Sequence, residues 1–291
     1  MAGKSVLITG ASTGIGEACA YHLDSKGYQV FAGVRKEADG DRLKNKASDR
    51  LKTVFLDVTD RFSVAGAVDL LRRDLGGAGL YALVNNAGIA IAAPVEFLPV
   101  DDLRQQLEVN VIGQILVTQA CLPMIRKARG RIINISSISG RVAAPFFGPY
   151  SASKFAFEAL SDALRVELSP WGIYVSIVEP GGISTPIWEK SLAAADERLE
   201  GMSIDVDRYY HPAIARSRGI AKHSMKYGLP AEDVAVIVER ALSAAKPKER
   251  YVIGKRTGVA LLLEKLAPTW LRDRFLARRT GIAEIRPVGR S

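Results

Sequence analysis

Short apolar runs alternate with longer amphipathic stretches along most of this chain. Ser5 to Thr9, Gln29 to Val34, Thr53 to Leu56, Leu80 to Val84, Ile132 to Ile135 and Ile173 to Val178 are apolar at consecutive rather than alternate positions. That pattern predicts strands buried on both faces. Helical patterns lie between and after them: through Lys26, from about Asp60 to Leu75, from about Val100 to Lys127, from Tyr150 to about residue 168, and again from Pro230-Ala231-Glu232-Asp233. Strands alternating with helices six or seven times predict an α/β fold, a single doubly wound Rossmann-type domain whose central parallel sheet of about seven strands carries helices on both faces. Ligands of such sheets gather beyond the carboxyl ends of the strands, so the residues that close each apolar run are the candidates for chemistry.

The first run closes in Gly10-Ala11-Ser12-Thr13-Gly14-Ile15-Gly16 and gives way to a helix. Glycines let the backbone turn tightly and approach a pyrophosphate, and the helix N-terminus adds amides and a partial positive charge. Gly10, Ser12, Thr13, Gly14, Ile15 and Gly16 are therefore candidate dinucleotide contacts. The second run ends in Val34-Arg35-Lys36, where an adenosine ribose would lie; a carboxylate there would repel a 2′-phosphate, whereas a guanidinium can hold one bidentately. Arg35 and Lys36 thus favour NADP(H) over NAD(H), the alternative being a merely solvated strand end. Asp57-Val58 follows the third run and is placed either to meet the adenine amino group or as an ordinary residue ahead of a helix. Asn85-Asn86-Ala87-Gly88 follows the fourth and suits close backbone packing beside the first turn.

The fifth run leads to the stretch around which the rest is organised. Ser136 and Ser137 follow it, and Tyr150 and Lys154 stand four apart in a segment rich in helix formers, so a phenol and an ammonium share one helix face. A phenol with a pKa near 10 shuttles protons poorly at neutral pH unless its anion is stabilised. Lowering it by roughly three units needs about 4 kcal/mol, the order supplied by one cation at about 4 Å in a half-shielded site. Lys154 is the expected cation. Asn110, a polar amide inside Val109-Asn110-Val111, is costly on a buried helix unless bonded, so it either braces a neighbouring strand or holds an ordered water.

With Thr9-Gly10-x-x-x-Gly14-Ile15-Gly16, Asn85-Asn86-Ala87-Gly88, Asn110, Ser137, Tyr150-x-x-x-Lys154 and Pro180-Gly181 in this order, residues 4 to 254 resemble the short-chain dehydrogenase/reductase family. Within it, the stretch from Val30 to Leu43 and the basic, apolar tail look like the retinol and hydroxysteroid dehydrogenase branch. The resemblance implies that Tyr150 gives a proton to a carbonyl in reduction and takes one in oxidation. It implies that Lys154 lowers the phenol pKa and bonds the nicotinamide ribose, that Ser137 orients the substrate oxygen, and that Asn110 holds a water in the proton relay. Asn86, Ala87 and Gly88 would line the cofactor, with Pro180, Gly181, Ile183 and Thr185 toward the nicotinamide. A homodimer or homotetramer built through the helices at about 100 to 127 and 150 to 168 is also implied.

Pro186 to Leu229 reads as a long irregular insertion carrying Trp188, Met202, Tyr209, Tyr210, Met225 and Tyr227. Long irregular segments are commonly lids. Together with Phe146, Phe147, Ile89 and Ile91 it suggests a roomy apolar pocket for a steroid, retinoid or long acyl carbonyl, unless these residues simply pack as core. The catalytic domain is thereby bounded at 1 to 256, lid at 186 to 229, and residues 257 to 291 form a tail. That tail, with Val259, Leu261 to Leu263 and Leu266 before Pro268, Trp270, Leu271, Phe275 and Leu276 after it, and Arg272, Arg274, Arg278 and Arg279 among them, predicts two short amphipathic helices. They would lie either on an anionic membrane or against protein.

Composition adds bounds. The chain has 291 residues and a net charge of +9, which points to an anionic partner, here a phosphorylated cofactor or an acidic membrane surface. The basic residues are spread rather than gathered on one element, against nucleic acid. Cys19 and Cys121 fall in separate helices, as in a reducing, cytoplasmic setting, and His22, His211 and His223 have no metal-ligand spacing, so no metal is expected. The N-terminus lacks a secretory leader and no apolar run approaches bilayer length. The expected activity is an NADP(H)-dependent alcohol–carbonyl oxidoreductase with a small lipophilic substrate. The alternatives are a non-catalytic dinucleotide-binding sensor or an NAD-dependent dehydrogenase of a small hydroxy compound.

Overall fold

The computed structural model describes residues 3–200, 204–254, 257–258, 261 and 266–285. Seven parallel strands are ordered β3-β2-β1-β4-β5-β6-β7. They are β1 (Ser5–Ile8), β2 (Gln29–Val34), β3 (Leu51–Phe55), β4 (Ala82–Asn85), β5 (Arg131–Ile135), β6 (Tyr174–Pro180) and β7 (Arg250–Ile253). The order reverses between β1 and β4, which pair with Val6 opposite Ala82 while Val6 also faces Val30 of β2.

The pleat divides the core. Val6, Ile8, Val30 and Ala32 point to one face, which is closed by α1 (Gly14–Ser25) and α9 (Ala231–Ser243) through Cys19, Leu23, Val234 and Val238. Leu7, Phe31 and Leu83 point to the other, closed by α3 (Arg61–Leu75), α5 (Gly113–Ala128) and the end of α6 (Gly148–Leu168). Both sheet faces are therefore dry, which is why the strands read as continuous apolar runs. Asp60 starts α3 by accepting the Phe62 N–H at 2.8 Å.

The long stretch from Val100 is helical to Ala128, as the periodicity predicts. It is interrupted by a π-turn at Glu108–Ile112 that joins α4 (Val100–Leu107) to α5. Against the expectation drawn from run length, this composite helix is long and apolar enough to cross a membrane by length and composition, with a mean hydropathy of 1.3 over its best window. Half of that window is buried, with Val117, Cys121 and Ile125 packed on the sheet. Two elements without a strong apolar signature, α2 (Glu37–Lys44) and β7, complete the layers.

The insertion after β6 is not irregular. It forms α7 (Pro186–Glu200) and α8 (Ile204–Tyr227), whose ends meet where Ile183 bridges Leu229. Met202 lies outside the described residues, as do Val259, Leu262 and Leu263, so most of the first predicted tail helix is not described. The second is α10 (Thr269–Thr280), beginning after Pro268.

Candidate active site

A cleft enclosing about 1890 Å³, including the solvent at its mouth, opens beyond the carboxyl ends of the strands at the reversal point. Gly10 takes φ +63°, and a Cβ there would stand 2.7 Å from the Ala87 Cα. At Gly16 the reason is closeness alone, because a Cβ would meet the Gly10 carbonyl oxygen at 2.3 Å. Gly16 is thus buried behind the turn rather than on the cleft, correcting its expected direct contact: its role is to let α1 approach. No side chain caps the start of α1 at Thr13. Ser12, Thr13, Gly14 and Ile15 line the cleft there, so the backbone amides and dipole of the helix face a space suited to a pyrophosphate.

The turn is braced from three sides. Asn86 donates to the carbonyls of Thr9 and Gly10, both at 3.0 Å. The Thr9 hydroxyl accepts from the amides of Asn86 and Ala87, both at 2.9 Å. Arg42 of α2 donates to the Ser12 carbonyl and to Glu17 of α1. Arg35 and Asp57 line the adenosine end together with Val58. Burial works to raise the Asp57 carboxyl, but the Thr59 amide and hydroxyl, with Arg35 nearby, outweigh it and hold the group below the usual range. Lys36 is exposed at the start of α2 and off the cleft, so of the two basic residues Arg35 alone lines it.

At the other end, Pro149 in the first turn of α6 puts Tyr150 at the helix start, and Lys154 follows one turn later on the same side. Ser137, which begins the short 3₁₀ turn Ile138–Gly140, lies with both in the cleft, as do Ala87, Gly88, Pro180, Gly181, Ile183 and Thr185. Lys154 is 5% exposed and its Nζ donates to the Ile135 carbonyl at 2.9 Å, 5.8 Å from the centre of the Tyr150 ring.

The electrostatics differ from the sequence expectation. Burial pushes the Tyr150 phenol up, with the Ser137 hydroxyl beside it pulling back. Burial also lowers Lys154 to about 8, against the opposing pull of Glu158. The physical reason is that Lys154 shares the phenol's poorly hydrated pocket and directs a proton to a main-chain carbonyl, so desolvation governs both groups.

Beneath Lys154 lies an ionic network that links α6 to the last two strands. Arg250 donates to Glu158 at 3.0 Å and to Asp162 at 2.7 Å and pairs in charge with the fully buried Glu179 at 3.0 Å, and Arg141 donates to Glu179 at 3.1 Å.

Asn110 does not reach the cleft. It is buried and its side chain accepts from the Ile89 amide at 2.9 Å and donates to the Ile89 carbonyl at 3.0 Å and the Ser153 hydroxyl at 3.1 Å. These bonds tie the loop after β4 to α6. Ile91 is likewise buried and held by Gln106 rather than lining a pocket, while Ile89 faces the cleft. Tyr209 and Tyr227 are exposed at 36% and 64%, so they do not add to an apolar pocket.

Sequence reasoning missed Arg42 and Gln114, which donates to the Ala87 carbonyl, and gave Thr9 no role beyond its place in the motif. A signal for one of them existed: Asn110, Gln114 and Thr118 form a polar stripe at four-residue spacing, all three at most 2% exposed, along an otherwise apolar helix.

A glycine turn at a helix start and a serine, tyrosine and lysine gathered at the far end of one cleft define a dinucleotide-linked oxidoreductase. Residues 4–196 match the family model for short chain dehydrogenases, and the chain belongs to the short-chain dehydrogenase/reductase family. Within it the chain is of the retinol and hydroxysteroid dehydrogenase-like branch. It is 39% identical over 278 residues to mouse (Mus musculus) retinol dehydrogenase 7, covering 94% of this chain and 87% of that one. It is also 39% identical over 290 residues to Bos taurus 17-beta-hydroxysteroid dehydrogenase type 6, covering 94% and 88%. A further relative, the NADPH-dependent 3-dehydrocapnine reductase of Ornithobacterium rhinotracheale, is 38% identical with 94% of both chains covered. Among solved structures, a short-chain dehydrogenase from Streptomyces avermitilis superposes with a TM-score of 0.76 at 27% identity, covering 98% of both chains. The chain is a short-chain NAD(P)-dependent alcohol dehydrogenase or carbonyl reductase.

Proposed function

We propose that the protein uses NADP(H) to interconvert an alcohol and its ketone or aldehyde on a lipophilic substrate. The observation that carries the proposal is the convergence of Ser137, Tyr150 and Lys154 in one cleft with the glycine turn. When bound, the nicotinamide supplies or accepts the hydride. Tyr150 donates the proton to the carbonyl oxygen in reduction and withdraws it from the alcohol in oxidation. Ser137 orients that oxygen, and Lys154 holds the ribose and offsets charge on the phenol as it ionises. Asn110 acts at one remove, fixing Ile89 and Ser153, whose hydroxyl in turn donates to the Tyr150 carbonyl at 2.7 Å. Arg35 favours the 2′-phosphate. The related reductase named NADPH-dependent and the relatives named for retinol and hydroxysteroids support the cofactor and substrate class.

Tyr150→Phe removes the proton and leaves the glycine turn intact. Turnover, followed by NADPH absorbance against steroids, retinoids, acyl ketones and small aldehydes, should be lost while cofactor affinity stays within about threefold; retained turnover rejects the mechanism.

The domain boundary near 256 and the tail remain part of this reading. On α10, Trp270 and Phe275 are 65% and 60% exposed and interleave with Arg274 and Arg278, an arrangement suited to an anionic lipid surface. Vesicles with anionic lipid should co-sediment the full chain and not a chain ending at residue 256; equal partitioning rejects lipid contact. Exposed Ile112, Phe155 and Val166, at 52%, 44% and 67%, support a homo-oligomer formed through α5 and α6.

A further inference from the structure

The opposing charge that acts on Lys154 comes from inside the protein. Glu158 follows it by four residues on α6, so the two side chains share one side of the helix, and each residue is 5% exposed. Both meet the 3₁₀ turn that Ser137 begins. A Cβ at Gly140 of that turn would stand 2.9 Å from the Glu158 Cγ, 3.0 Å from the Ser136 Oγ and 3.2 Å from the Lys154 carbonyl oxygen. The bare backbone at Gly140 therefore lets the turn that presents Ser137 sit directly on the helix that presents Tyr150 and Lys154, with Glu158 enclosed between them.

A carboxylate in that place is costly, yet its surroundings favour the charged form. Burial raises the Glu158 carboxyl; the Ser136 hydroxyl and Arg250 pull it back, and Glu179 adds to the rise. Arg250 of β7 donates to its Oε2, and is shared with Asp162, one turn further along α6, and with Glu179 of β6. Arg141, the residue after the turn, donates to Glu179, and Arg165 donates to Asp162. The other carboxylate oxygen, Glu158 Oε1, is buried and completes no hydrogen bond among the described residues. One oxygen is thus left outside the Arg250 contact. Buried ion pairs are often no more stabilising than apolar side chains of the same volume, so the use of this carboxylate lies in what its charge does.

We propose that Glu158 is a positioning residue of the reaction, the internal counter-ion that keeps Lys154 an ammonium while Ser136 and Arg250 keep Glu158 a carboxylate. A neutral amine could not offset charge on the Tyr150 phenol as it ionises, so loss of the lysine proton sets an upper pH limit on turnover. Burial brings Lys154 down to about 8, close to losing that proton near neutrality, and the Glu158 charge opposes the fall. At the roughly 6 Å usual for residues four apart on a helix, and an effective dielectric constant of about 20, a carboxylate moves an ammonium by about two pH units. The inference rests on the part Lys154 plays in the oxidoreductase reading above, and adds to it the residue that fixes the charge of that lysine.

The test uses the full chain carrying carbon-13 at the lysine ε-carbons, whose NMR shifts follow the titration of each amine; Lys154→Met identifies the signal. In Glu158→Gln, and in Glu158→Met, which leaves no polar group to bury, the Lys154 titration should fall by about one pH unit or more. Glu158→Asp keeps the charge and should hold the titration within about half a unit of the wild type. Asp162→Asn removes another partner of Arg250, one turn further from Lys154, and should stay within the same margin. The high-pH limb of kcat/KM for NADPH-dependent carbonyl reduction should move down with the titration in the two neutral variants, whereas a purely structural loss would lower the profile equally at every pH. A Lys154 titration unchanged in both neutral variants overturns the proposal, and so does one that moves as far in Asp162→Asn as in them. A titration that falls as expected in a protein that reduces no carbonyl with NADPH upholds the charge pairing and counts against the oxidoreductase reading.

Discussion

Replacing Lys154 by methionine should separate stability from activity in a pH-dependent way. The residue is 5% exposed, and burial lowers it from 10.5 to about 8. The folded state therefore disfavours the ammonium relative to the unfolded chain by about 3 kcal/mol. The unfolded chain holds this proton up to about 10.5 and the folded chain releases it near 8, so between those values the unfolded state binds more protons and stability rises with pH. The penalty is complete below pH 8 and shrinks above it. Methionine keeps much of the volume and has no charge to desolvate, but it forfeits the bond to the Ile135 carbonyl, worth about 1 to 3 kcal/mol, at every pH. At pH 7 the two effects nearly cancel and the variant should unfold within about 1 kcal/mol of the wild type. By pH 9.5 the wild type has recovered about 2 kcal/mol and the variant has not. Urea unfolding followed by tryptophan fluorescence at the two pH values reads this directly. A stability difference that does not move between pH 7 and 9.5, or that moves in favour of methionine, refutes the buried-ammonium picture. Turnover should be lost in the variant at both.

Two other outcomes follow from particular contacts. Arg35→Asp should turn cofactor preference toward NADH by about tenfold or more, read as the ratio of kcat/KM for NADPH and NADH, since a carboxylate then faces the 2′-phosphate. Arg250→Ala strands the buried Glu158 and leaves Glu179 with Arg141 alone, and should cost about 3 to 5 kcal/mol of stability at pH 7, measured by denaturant unfolding. Burial already raises Glu158, so its carboxyl should protonate readily once the arginine is gone, and the loss should lessen toward pH 5.

The buried strands and the residues closing them were legible because a parallel sheet covered on both faces imposes unbroken apolar runs, and because its topology sends their ends to one place. Hence Gly10, Arg35, Asp57, Tyr150 and Lys154 could be placed at one cleft from the order of runs and motifs, while Ser137 was singled out from its neighbours by the family resemblance. What spacing could not carry was the direction of a side chain. Asn110 and Gly16 stand at the expected positions but face away from the cleft, because one is bonded to Ile89 and the other lets α1 approach the Gly10 carbonyl. Nor could it carry desolvation: one helical turn between Tyr150 and Lys154 suggests charge attraction, whereas shared burial dominates both. The insertion looked irregular because α7 and α8 cover the site with mixed polar and apolar faces, and β7 was missed because it is a four-residue edge strand with a basic start.

The two ends of that insertion come together where Ser184 N–H donates to the Leu229 carbonyl at 2.9 Å and Leu229 N–H donates to the Gly182 carbonyl at 3.0 Å. Everything between leaves the sheet and returns to it through a single narrow neck. Such a module can grow, shrink or be exchanged with little entropic cost to the rest of the chain. Diversification of what the enzyme accepts can then proceed through one detachable cassette, while the proton-handling groups beneath it stay as they are.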